Sequence, residues 1–158
     1  MAPAPMPDRI MDDIQAAIAT LHGGERALAR ERFDLIWARI ENGAEPFHEC
    51  VLSHYMADAR DDLAEELEWD LRALAAAERC SQADADRLGK GMSLASFYPS
   101  LHLNLADVYL RLGDREAALR RLAEGRAAAA NLGDDPYSDL IRRGLARLTE
   151  RLKPADIR

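Results

Sequence analysis

The chain has 158 residues, 48% hydrophobic and 31% charged, enough for one domain with a core of its own and too apolar for a disordered segment. Its formal net charge of −7 speaks against general nucleic-acid binding, which asks for a basic face. Every apolar run is broken by charge well short of the ~20 residues of a membrane span, so no membrane partner is expected either.

Residues 1–7, MAPAPMP, read as a flexible tail, because three prolines forbid a helix there. They lack the basic and apolar regions of a secretory signal, so the expected location is cytoplasmic. In that reducing compartment Cys50 and Cys80, which form no CxxC motif, are expected to be free thiols.

From residue 8 onward the apolar positions recur at helical period. A first helix is expected over 8–21, N-capped by Asp8, with Ile10, Ile14, Ala17, Ile18 and Leu21 on one face. Gly23-Gly24 stops it, since glycine accepts the left-handed conformation that closes a helix. A second helix over 25–40 buries Ala29, Phe33, Ile36, Trp37 and Ile40 and ends at Asn42-Gly43. Pro46 suits the first turn of a third helix over 46–59. The fourth runs over 63–78, with Asp62 and Glu65 forming a capping-box-like pair and Trp69, Leu71 and Leu74 as candidate core. Residues 80–96 then hold a short helix near 84–88 and a glycine-rich joint, Gly89-Lys90-Gly91. Two further helical patterns, divided by Gly113-Asp114, fill 101–130. A last helix opens at Asp135-Pro136 and buries Leu140, Ile141, Leu145, Leu148 and Leu152, with Arg142, Arg143, Arg147 and Arg151 outside.

The spacing of Ala106, Tyr109, Gly113 and Ala118 resembles one tetratricopeptide (TPR) repeat, a helix–turn–helix unit of about 34 residues. Gly24, Ala29 and Phe33 echo it, and Ala64 stands where the second repeat wants a small residue. Ala59 to Gly113 spans 54 residues, about 20 more than the repeat period, which marks an insertion. The stretches HYMADARDDLAEELEWDLRALAAA and FYPSLHLNLADVYLRLG also resemble signature blocks of small actinobacterial TPR proteins, a likeness that brings no catalytic residues with it. The resemblance implies one all-α domain over 8–153, a right-handed stack of antiparallel helical hairpins. Its parts are repeats at 8–41, 46–79 and 97–131, an insertion at 80–96 and a capping helix at 135–153. Phe97-Tyr98-Pro99-Ser100 is expected to staple the loop before the third repeat onto the core.

Function follows from the same resemblance. TPR arrays bind a peptide or helix of a protein partner in the groove lined by the first helix of each hairpin. That places Gln15, Ile18, Ser53, His54, Ser100, Leu103, Asn104, Asp107 and Arg111 in the groove. Leu103 and the lack of groove lysines argue against the class that clamps a terminal carboxylate. No nucleophile with an adjacent base and no phosphate loop is visible, so the chain is expected to be non-enzymatic and to need no cofactor. The rival reading is a small-molecule or metal-dependent protein built on His54, Asp58 and His102. His54 and Asp58 share a helix face at i, i+4, but a functional zinc site needs three protein ligands and no such motif is present. A homodimer is a third reading. Charge is uneven: 41–70 holds ten acids and one arginine, and 110–151 nine arginines and seven acids. Such asymmetry steers a basic partner to the first half or pairs two copies.

Overall fold

The computed structural model describes residues 9–88 and 93–154; the Asp8 cap, the 1–7 tail and the Gly89-Lys90-Gly91 joint lie outside them. Among the described residues the chain is all-helical: α1 (Arg9–His22), α2 (Arg26–Ile40), α3 (Pro46–Asp58), α4 (Leu63–Arg79), α5 (Gln82–Leu88), α6 (Leu94–Arg111), α7 (Arg115–Ala128), a 3₁₀ turn (Ala129–Asn131) and α8 (Pro136–Arg151). No described helix is long and apolar enough to cross a membrane.

Three hairpins, α1–α2, α3–α4 and α6–α7, stack with α8 at the end. α4 lies against α6, and α8 against both α6 and α7. The caps come from the residues that sequence chemistry favours. Asp62, Asp114 and Asp135 accept the backbone N–H groups of Glu65, Ala117 and Ser138 at 3.0, 3.0 and 2.8 Å. Gly24 and Gly113 sit at φ +88° and +85°, and each closes its turn with the same bond pattern. Glu25 N–H bonds Thr20 O at 3.2 Å and Asp114 N–H bonds Tyr109 O at 2.9 Å.

The middle hairpin has no glycine at its turn, and arginines of α2 replace it. Arg26 donates to the carbonyls of Asp58 and Arg60, and Arg30 to that of Ala59 at 3.0 Å. These satisfy the carbonyls that a helix end leaves without partners.

One core cluster runs from α1 to α6 around Phe33, Phe47, Leu52, Met56 and Leu101; a second joins α6, α7 and α8 around Ala106, Ala118, Leu122, Leu145 and Leu148. Tyr109 packs against both. Ala29, Ala106 and Ala118 are fully buried, as close helix approach requires.

Four expectations are corrected. Ala64 is exposed, so it makes no close contact; α4 buries Asp70, Ala73, Leu74, Ala76 and Ala77 instead. Leu71 and Leu140 lie on the outer faces of their helices, 37% and 57% exposed. Phe97-Tyr98-Pro99-Ser100 is not a loop: α6 begins at Leu94, N-capped by Ser93, and carries Pro99 inside it. Residues 94–96, expected within the insertion, belong to the first turn of α6.

Candidate functional site

Asn104 of α6 sits at the meeting point of α3, α4 and α6. Its side-chain amide faces Asp58 Oδ1 at 3.1 Å, His54 Nδ1 at 3.4 Å and Asp70 Oδ1 at 3.5 Å. The Asp58 carboxylate, nearest of the three, fixes which end of the amide points inward, so Asn104 Nδ2 is the donor to it. His54 Nε2 and Ser100 Oγ lie 3.1 Å apart, a hydrogen bond whose direction follows the imidazole tautomer. Both residues are buried. Burial lowers the His54 pKa against the opposing pull of Asp58, and the ring is neutral. Its edges meet Tyr55 and Phe97 at centroid distances of 5.0 and 4.9 Å.

Asp70 is the residue that sequence reasoning missed. It is 2% exposed, and burial, with Asp58 and Glu66 adding repulsion, pushes its pKa up to about 8. Its Oδ2 has no hydrogen-bond partner among the described residues. The signal was present: Asp70, Ala73, Leu74 and Ala77 follow i, i+3, i+4, i+7, so an acid stands in the apolar stripe of α4.

Outside this buried network lies a cavity of about 440 Å³ lined by Arg26, Asp58, Arg60, Asp61, Glu66, Asn104, Asp107 and Arg111. Most of its charges are paired. Arg111 binds Asp107 at 2.8 Å and grips Glu66 with both terminal nitrogens, while Arg26 and Arg30 hold Asp61 at 3.1 and 2.7 Å. Arg60 pairs with Asp34 and lies over the Trp69 ring. Asp58 is the exception: no described arginine reaches its carboxylate. A second depression of about 210 Å³ adjoins the first, sharing Asn104 and Asp107 and adding Leu103, Gly144, Arg147, Leu148 and Arg151. Its Arg151 pairs with Asp107 at 3.1 Å, whereas Arg147 has no ion pair among the described residues.

Of the expected groove residues, Leu103, Asn104, Asp107 and Arg111 line one or both of these depressions. Ser53, His54 and Ser100 do not, being 0%, 4% and 4% exposed; they serve the core between helices. Gln15 is exposed on α1 and Ile18 packs on the core, and neither lines the groove. His102 does not converge with His54 and Asp58. It lies two residues along α6 from both Ser100 and Asn104, so it points away from them toward α7. There Nδ1 lies 3.3 Å from Glu124 Oε2, and the ring stacks on Tyr98. Among the described residues no three His, Cys, Asp or Glu side chains form a group able to hold a metal ion.

Comparison of the chain with protein-family models, curated proteins and solved structures returned no match.

Proposed function

We propose that this protein is a non-catalytic interaction scaffold of the tetratricopeptide kind, and that its groove binds a segment of a protein partner. The observation that carries this reading is the pair of adjoining depressions across α6, joined through Asn104 and Asp107, with one charge in the lining of each that has no ion-pair partner among the described residues. Asp58 offers a carboxylate without a described cationic partner in one depression, and Arg147 a guanidinium without a described anionic partner in the other. The fitting partner is an extended segment with a basic side chain for Asp58 and an acidic one for Arg147. The surplus of acids in 41–70 supports the same polarity through longer-range steering. The groove walls are fixed by their own ion pairs, so little side-chain entropy is lost on binding.

The test is selection from a synthetic peptide library in which one position is lysine, norleucine or glutamate. Enrichment of lysine with the wild type, and its loss with Asp58→Asn, is the expected result. The asparagine keeps an acceptor for the Asn104 amide and removes only the charge. Equal recovery of the three peptide classes would refute the reading.

A further inference from the structure

A third cavity, of about 350 Å³, lies on another side of the molecule between the starts of α6 and α8. It is lined by Tyr55, Phe97 and Tyr137, with Ser93, Ser96, Ser138 and Asp135 completing the wall. Three aromatic side chains and one carboxylate line it, and among the described residues no lysine or arginine does. Most polar groups of the wall are already engaged, the Tyr55 hydroxyl excepted. Ser93 Oγ accepts from Ser96 N–H and Ser96 Oγ donates to Asn131 O, both at 3.3 Å. Ser138 donates to both carboxylate oxygens of Asp135 at 2.8 Å, from its N–H and from Oγ. The Tyr137 phenol faces Ser100. Arg142 acts on Asp135 through space, but it is fastened to the Leu132 and Gly133 carbonyls at 3.1 and 2.9 Å.

Such a wall suits one chemical class. A ligand with several hydrogen-bond donors finds few acceptors unoccupied, and an anion meets Asp135. An alkylated ammonium brings positive charge without donors, and it is attracted to ring faces and to a carboxylate whose hydrogen bonds are already made. We infer that this cavity is an aromatic cage for a quaternary ammonium group, with Tyr55, Phe97 and Tyr137 as its walls and Asp135 as its counter-charge. The site is separate from the peptide groove and does not depend on it. The volume fits a small headgroup or the tip of a long side chain. The same chemistry is offered by a free choline-type molecule and by a trimethylated lysine of a protein.

Tetramethylammonium chloride is titrated into the full chain and followed by the NMR signals of Tyr55 and Tyr137, with sodium chloride as the ionic control. Saturable shifts are expected, absent with the neutral isostere 3,3-dimethylbutan-1-ol. Affinity should fall about tenfold in Asp135→Asn and in Tyr137→Leu. Asparagine keeps the cap of α8, so the first variant removes charge without removing the helix end, and unchanged helicity by circular dichroism verifies this. Choline and a trimethyllysine peptide are then titrated side by side, and the tighter of the two identifies the source. No saturable shift, equal binding of the neutral isostere, or undiminished binding by Asp135→Asn would each overturn the inference.

Discussion

Replacing Asp70 by asparagine isolates the most perturbed acid of the fold. In the native state its proton is held up to about pH 8 by burial and by Asp58 and Glu66, with Asn104 and Arg111 pulling the other way; an unperturbed aspartate releases it near 3.8. Between those values the native state holds a proton that the unfolded chain has lost. Stability therefore falls as pH rises from 3.8 toward 8 and levels off above it. Each pH unit in that window is worth about 1.36 kcal/mol. From pH 5 to pH 8, Asp70→Asn should thus gain on the wild type by an amount on the order of 4 kcal/mol. Asparagine keeps an acceptor for Asn104 and carries no charge to bury. His54 contributes the opposite slope: its folded-state pKa is lowered, so its contribution is lost as pH falls below 6.5. That slope is common to both proteins and cancels in their difference. Urea denaturation of the two proteins at pH 5, 6.5 and 8 measures the gain. A difference that does not change with pH would refute a protonated, buried Asp70.

Three further changes probe the scaffold. Ala118→Leu pushes a large side chain into a fully buried contact between α6 and α7, and a thermal melt should show a loss of roughly 1–3 kcal/mol. Gly113→Ala places a Cβ at φ +85° and should cost about 1 kcal/mol in urea denaturation, whereas Gly43, which has no positive φ and open space around it, should tolerate alanine at little cost. Arg26→Ala removes the cap on the Asp58 and Arg60 carbonyls and should destabilise by about 1–2 kcal/mol, with faster amide exchange at the α3–α4 turn.

The helices were legible because their caps and stops are local. Asp62, Asp114 and Asp135 announce helix starts, and Gly24 and Gly113 announce ends, through backbone chemistry within a few residues. The start of α6 is not, because Pro99 reads as a helix breaker, yet it lies inside α6, past a first turn capped by Ser93. The glycine-free α3–α4 turn was equally opaque, since its cap comes from Arg26 and Arg30, 29 to 34 residues away. Helical spacing placed His54 and Asp58 on one face, but only the packing of α3 on α6 shows that Asn104 holds both and that the ring is sealed in the core. His102 was grouped with them by residue type, whereas its position on α6 turns it to α7. Asp70 was overlooked because four other acids surround it between residues 62 and 68, and only its apolar register sets it apart.

The most direct test of the groove is a double-mutant cycle between Asp58→Asn and lysine-to-norleucine in a selected peptide, measured by calorimetry. The account predicts that each change weakens binding about fivefold and that the second adds little once the first is made, a coupling of about 1 kcal/mol. Fully additive losses would mean that the lysine does not meet Asp58 and would contradict the proposed groove.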